Sequence, residues 1–352
     1  MRMFRNDYSE GAAPRIMDAL VATNDEQCVG YTEGDPHCER ARRLILDACG
    51  LDEGEADVQF CVGGTSANVI GVTGMLRDWE GVICTRDAHI NVHETGAVAA
   101  CGRTVLPTDD ADGFLSPEGA ERVYAFQTSC GRHMTRPAAV YVTNATELGG
   151  VWDTARLDAI CDWAHERGLR VFLDGARLAS ALTSEGNDVT LSHIAHTVDA
   201  FYLGGTKNGM LFGEAMVIRD ERLREAFPFL VKERGGLVAK GRLLGVQFEA
   251  AFERGEGDAE APYWSMARHA NRMAADLRAG LVGLGFEPYG SSPSNQQFFV
   301  VSPAQQAAFE QAVGAETFYV LDDGRKVVRF VTSWATSRGD VDDLLEFAAT
   351  IA

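Results

Sequence analysis

The stretch Ala200-Phe201-Tyr202-Leu203-Gly204-Gly205-Thr206-Lys207-Asn208-Gly209 runs from an unbroken apolar segment into a lysine flanked by glycines. A short continuous apolar run bounded by glycines reads as a strand buried on both faces of a parallel sheet. Upstream, Arg170-Val171-Phe172-Leu173-Asp174-Gly175-Ala176-Arg177 repeats the pattern, with an aspartate closing the run. The interval between Asp174 and Lys207 holds one helix and one strand, so the two residues fall at neighbouring strand ends. Working outward, apolar runs at 58–62, 81–84, 103–106, 138–143 and 215–218 complete seven expected strands. Between two of them Asp153 caps a helix carrying Leu157, Ile160, Cys161 and Ala164, and Gly168 ends it. This alternation predicts an α/β domain whose mostly parallel seven-stranded sheet is covered by helices.

Past residue 235 the rhythm changes. Helical patterns at 237–255 and 263–284 lead to a strand at 297–301, a helix at 303–313, strands at 318–320 and 327–332, and a last helix from Asp340. These read as a smaller C-terminal α+β domain, giving a large domain over 30–235 and a small one over 236–352. Gly255-Glu256-Gly257-Asp258 and Gly290-Ser291-Ser292-Pro293-Ser294 mark loops.

The 352 residues carry 51 acidic and 32 basic side chains, a net charge of −19. That balance argues against nucleic acid and against anionic lipid as partners. No apolar run is long enough to span a membrane, and Met1-Arg2-Met3-Phe4-Arg5-Asn6-Asp7 holds no signal core. The eight cysteines form no C-x-x-C pair and several sit in apolar runs, as reduced thiols do. A cytoplasmic protein is expected.

Only four of the basic residues are lysines, at 207, 232, 240 and 326. Lys326 lies in a charged turn, and Lys232 and Lys240 flank a basic loop. Lys207 alone follows a buried strand at the right distance from a carboxylate.

Several motifs are missing. Gly63-Gly64-Thr65-Ser66 has neither the spacing nor the lysine of a P-loop, and there is no G-x-G-x-x-G or G-x-S-x-G. His89-x-x-x-His93-Glu94 completes no zinc motif, since position 97 is alanine, and no metal is expected.

Three features instead lie beyond strand ends, where α/β sheets place ligands. Gly63-Gly64-Thr65-Ser66-Ala67-Asn68 opens a helix whose N-terminus favours an anion. Asp174 is a carboxylate too costly to bury without a cationic partner. Lys207 is the third. Together they supply what pyridoxal 5′-phosphate needs: a lysine for the Schiff base, a carboxylate for the pyridine nitrogen and a Gly-Thr helix start for the phosphate.

These residues resemble the low-specificity L-threonine aldolases (β-eliminating lyases) among the fold-type-I, aspartate-aminotransferase-like enzymes. The likeness extends through Phe4-Arg5-Asn6-Asp7-Tyr8, Ala88-His89-Ile90-Asn91-Val92-His93-Glu94-Thr95-Gly96, Ala145-Thr146-Glu147-Leu148-Gly149 and Val328-Arg329-Phe330-Val331-Thr332-Ser333. It implies that residues 1–29 pack with the small domain. It makes Lys207 the Schiff-base lysine and Asp174 the partner of the ring nitrogen. His89 becomes the ring-stacking histidine, with Gly64, Thr65 and Thr206 around the cofactor. It gives Arg177 and Arg329, with position 6, the cofactor's hydroxyl side and the substrate carboxylate, for which an arginine fork is suited. His133, in Arg132-His133-Met134, resembles the histidine that helps remove the hydroxyl proton.

The implied reaction cleaves a β-hydroxy-α-amino acid into glycine and an aldehyde, in a homodimer or homotetramer with its site at a subunit interface. The basic segment Lys232 to Arg242 falls where relatives supply a phosphate contact to the neighbouring subunit, and reads equally well as a solvated charged loop. Two positions depart from the family: Asn6 stands where many relatives have serine, and His93 where aspartate is frequent. Racemisation, β-elimination, transamination, glycyl transfer and a non-catalytic role therefore stay open on the sequence.

Overall fold

The computed structural model describes residues 2–255 and 259–352; most of the loop expected at 255–258 lies outside the described residues. The large sheet contains β1 (Asp57–Cys61), β2 (Glu80–Thr85), β3 (Thr104–Thr108), β4 (Arg136–Thr143), β5 (Arg170–Asp174), β6 (Ala200–Gly204) and β7 (Glu214–Ile218). Their order is β1-β7-β6-β5-β4-β2-β3. Strand pairs β2–β3, β2–β4, β4–β5 and β5–β6 are parallel, and β7 runs antiparallel to both neighbours.

This topology fixes where chemistry can occur. The parallel strands bring their carboxyl ends to one edge, and the reversed β7 brings its first residue, Glu214, to that same edge. There Glu214 stands opposite Cys61 on one side and Gly204 on the other. Helix Gly64–Met75 rides closely over the sheet: a Cβ on Gly71 would sit 2.2 Å from the Phe172 ring, so no larger residue fits. Apolar residues fill both faces of the sheet.

The smaller sheet is antiparallel, in the order β10-β11-β9-β8, from β8 (Glu287–Pro288), β9 (Gln296–Val301), β10 (Glu316–Val320) and β11 (Lys326–Val331). Its core joins Phe299 and Phe330 to Leu277, Phe309 and Leu344 from three helices. Two of these begin at capping boxes, Ser302 with Gln305 and Ser337 with Asp340, where each side chain satisfies the other's free backbone N–H.

The domain boundary differs from the sequence expectation. Helix Arg242–Phe252 does not open the small domain, because Leu244, Phe248 and Phe252 form a stripe that packs into the large core, with Phe248 5.4 Å from Phe60. The changeover falls within the long helix Pro262–Gly283. Its Tyr263 and Ala267 belong to the large core, and its Leu277 and Leu281 to the small one. The N-terminal segment is likewise shared. Phe4 is buried in the small core and bonded to Val313 and Val331, whereas Ala12, Ala13 and Ile16 pack on the large domain. All eight cysteines are free thiols, and no described helix is long and apolar enough to cross a membrane.

Candidate active site

A cleft of about 340 Å³ opens at the carboxyl edge of the large sheet, lined by residues from six strand ends or the loops that follow them. Lys207, Asp174, His89, Gly64, Thr65, Arg177 and Thr206 all face it, together with Tyr8, Glu147 and Glu214.

Asp174 ends β5 and is 2 % exposed. The sharp turn after it depends on Gly175, where a Cβ would lie 1.7 Å from the Tyr202 carbonyl oxygen. Its Oδ1 accepts from the Tyr202 hydroxyl (2.6 Å) and the Ala176 N–H (2.9 Å), and its Oδ2 from the Tyr141 hydroxyl (2.5 Å) and Asn68 Nδ2 (2.8 Å). Burial alone would raise this carboxyl. The donors and the nearby His89 outweigh it and hold Asp174 below the usual carboxylate range.

Lys207 follows β6, and burial lowers its ammonium, helped by the Arg177 charge against the pull of Asp7, Asp174 and Glu147. A lowered lysine offers the neutral amine that attacks a carbonyl.

His89 begins the turn after β2. Its Nδ1 lies 2.7 Å from Oε1 of Glu94, which also accepts from Asn68 Nδ2 at 2.7 Å. One amide thus links the histidine's carboxylate to Asp174. Burial lowers His89, but the Glu94 bond and the charges of Glu147 and Asp174 prevail, leaving it raised. His93, the residue in the unusual position, is exposed with its ring 5.5 Å from that of His89. Since Glu94 supplies the anion, the departure at position 93 does not deprive His89 of a carboxylate partner.

Gly64 and Thr65 open a helix that has no side-chain cap, so its first backbone N–H groups and positive dipole end are free for an anion. Arg177 gives Nε and Nη2 to Asp7 (2.7 and 3.0 Å), a bidentate pair, and Asn295 donates to the same Asp7 at 2.9 Å. Burial works against Asp7, but Arg177 and Lys207 hold it low. Arg329, on β11, is not among the residues lining the cleft: its Nη1 donates to Gln296 Oε1 at 3.4 Å and its Nη2 lies 3.8 Å from Glu316, while its charge is felt by Arg177, Asp7 and Tyr8. Its Nε is buried with no hydrogen-bond partner among the described residues.

Two further expected residues also lie outside the cleft lining. His133 is exposed in a turn before β4, at the amino end of a strand whose carboxyl end borders the cleft. The eight-residue strand separates it by about 26 Å from that edge, so it does not enter its own chain's cleft. Asn6 does not line the cleft; its Oδ1 accepts from Tyr8 N–H and Ser9 Oγ, closing a local turn. Conversely, Asp7, Asn68, Glu94, Tyr141, Tyr202 and Glu214 complete the site without having been singled out. Asp7, Asn68, Glu94 and Tyr202 lie inside the motifs named above, beside the glycines, histidine and lysine that carry the motif signal.

The donor set fits pyridoxal phosphate: an amine at Lys207, an ionised carboxylate at the end of β5 and an uncapped helix start. The sequence matches the beta-eliminating lyase family over residues 4–301. The chain belongs to that family. It is 30 % identical to the low specificity L-threonine aldolase of a Pseudomonas species (strain NCIMB 10558), covering 97 % of this chain and 96 % of that one. The solved threonine aldolase of Leishmania major superposes with a TM-score of 0.94 at 39 % identity, covering 100 % and 99 % of the two chains. Thermus thermophilus aspartate aminotransferase shares the fold at a TM-score of 0.70 and 17 % identity, covering 100 % of this chain and 91 % of that one. As a beta-eliminating lyase of this fold, the protein is an enzyme of the lyase class whose cofactor is pyridoxal 5′-phosphate.

Proposed function

We propose that the protein cleaves L-threonine and related β-hydroxy-α-amino acids to glycine and an aldehyde. The observation that carries this reading is His89: its Nδ1 is fixed by Glu94, and its Nε2 has no hydrogen-bond partner among the described residues. A retro-aldol cleavage needs such a group to take the β-hydroxyl proton. Bound at Lys207, pyridoxal phosphate supplies an electron sink for the pair released when the Cα–Cβ bond breaks. Asp174 keeps that sink protonated at the ring nitrogen, which is what a carboxylate held ionised is able to do. The Nη1 of Arg177, which has no hydrogen-bond partner among the described residues, suits the amino acid's carboxylate, and the positive charge of Arg329 beyond it adds to the attraction. His89 is raised, so it becomes a competent base as pH climbs through its titration, and cleavage should accelerate with pH over that range.

The exposed Tyr8, Met17, Val21 and Leu211, close to the cleft mouth, support a homo-oligomer in which a second copy covers this face. Eight free thiols suit a reducing compartment such as the cytoplasm.

The test is product analysis with purified holoenzyme. L-threonine and L-phenylserine should each yield equimolar glycine and aldehyde, and His89→Asn should slow cleavage by about 10²–10⁴-fold. A holoenzyme that binds the cofactor yet releases no glycine from either substrate overturns the reading and leaves the fold untouched.

A further inference from the structure

Glu214 has no part in the chemistry above, yet it sits in the cleft. β7 lies between β1 and β6, and Glu214 is its first residue, paired in register with Cys61 and Gly204. The chain leaving β1 forms the Gly63-Gly64-Thr65 turn, and the chain leaving β6 carries Thr206 and Lys207. Glu214 therefore stands between the anion-binding helix start and the lysine, and lines the cleft with both. It is 3 % exposed and forms no ion pair among the described residues. Its Oε1 accepts from Thr206 Oγ1 (2.8 Å) and its Oε2 from the Gly205 N–H (2.9 Å), while Thr206 Oγ1 accepts from the Gly213 N–H (3.0 Å). The titratable groups around it are Lys207, Asp174, Tyr202, Tyr263 and Cys61.

An ionised carboxylate here would share the cleft with a phosphate dianion held at the helix start, and neighbouring like charges disfavour each other's ionised form. The neutral acid has no such penalty and carries an O–H to donate. Burial already pushes Glu214 up to about 7, against the lowering from Thr206, Gly205 and Lys207. A second anion beside it pushes in the same direction.

We propose that Glu214 is a cofactor-binding residue that contacts the phosphate as a neutral acid, so that the cofactor and one proton are taken up together. The proposal rests on the cofactor and is independent of which amino acid is cleaved.

The experiment measures binding to apoenzyme by tryptophan quenching from pH 6 to 9. The probes are pyridoxamine 5′-phosphate, which cannot bond covalently to Lys207, and pyridoxamine, which lacks the phosphate. For the phosphorylated probe, Kd should be flat up to the free Glu214 titration and then weaken about tenfold per pH unit. Pyridoxamine should lack that slope, and Glu214→Gln should abolish it for the phosphorylated probe. Parallel profiles for parent and Glu214→Gln overturn the proposal. Should the variant not fold, calorimetry on the parent at pH 8 in two buffers of different ionisation enthalpy decides. Uptake of about one proton per phosphorylated probe supports the proposal, and no uptake overturns it. Failure of the phosphorylated probe to bind at any pH instead removes the cofactor site itself, a distinguishable result.

Discussion

Asp174 and Glu214 are carboxylates buried at the same edge of one sheet, on strands separated only by β6, and their titrations move in opposite directions. Burial raises both. Asp174 receives two phenol hydroxyls, a side-chain amide and a backbone N–H, enough to hold it ionised. Glu214 receives one hydroxyl and one backbone N–H, and stays high. The difference lies in the donors each oxygen pair gathers and in the neighbouring charges, His89 lowering Asp174 and Asp174 raising Glu214, not in depth. On the proposal above, one sheet edge would offer a standing anion and a proton-bearing acid to the two ends of a single cofactor.

The strongest way to break this pairing is Asp174→Asn, which keeps the shape and removes the charge. Activity should fall by about 10²–10³-fold, the usual loss when one preorganised electrostatic partner is removed. Cofactor affinity should weaken with it, measured by kcat/KM and cofactor titration; an unchanged kcat/KM would refute the role of Asp174.

Asp7 offers an intermediate case, a buried carboxylate held low by a guanidinium instead of hydroxyls. Asp7→Asn leaves Arg177 buried without its counter-charge. A stability loss of about 3–5 kcal/mol should appear in urea unfolding of the apoenzyme.

The smallest effect sharpens the count of donors. Tyr202→Phe removes one of four bonds to Asp174 and should cost about 1–2 kcal/mol. The sign follows from linkage. Asp174 is depressed in the fold, so its contribution is present above its unfolded value and is lost as pH falls through its folded one. Losing a donor lifts the folded value, and acid unfolding should begin at a higher pH in the variant. An acid transition unmoved from that of the parent would mean the hydroxyl does not hold the charge.

The sequence carried the sheet almost completely, since fully buried parallel strands are unbroken apolar runs. All seven expected runs overlap the observed strands to within two residues at either end. β8 escaped notice because it is a two-residue exposed strand with no pattern of its own. Lys207 and Asp174 were legible because each interrupts an apolar run at a strand end. Tyr141 and Tyr202 were not: inside such runs they read as core aromatics, and only the register of β4, β5 and β6 shows both hydroxyls meeting one carboxylate. Asp7 pairs with a residue 170 positions away, a contact no local pattern encodes. His133 precedes the apolar run of β4, so the sequence itself sets it at the strand's amino end, opposite the cleft. Glu214 was hidden by the reversed β7, which turns an ordinary strand start into part of the cleft.

The helix Pro262–Gly283 crosses from one hydrophobic core into the other without a break. A helix is cooperative along its length, so fraying the half seated in the small core loosens the half seated in the large one. Phe4 and Ile16 tie the N-terminal segment to the same two cores. The consequence is thermodynamic coupling: neither domain has a melting transition of its own, and calorimetry of the apoenzyme should show one endotherm in place of two.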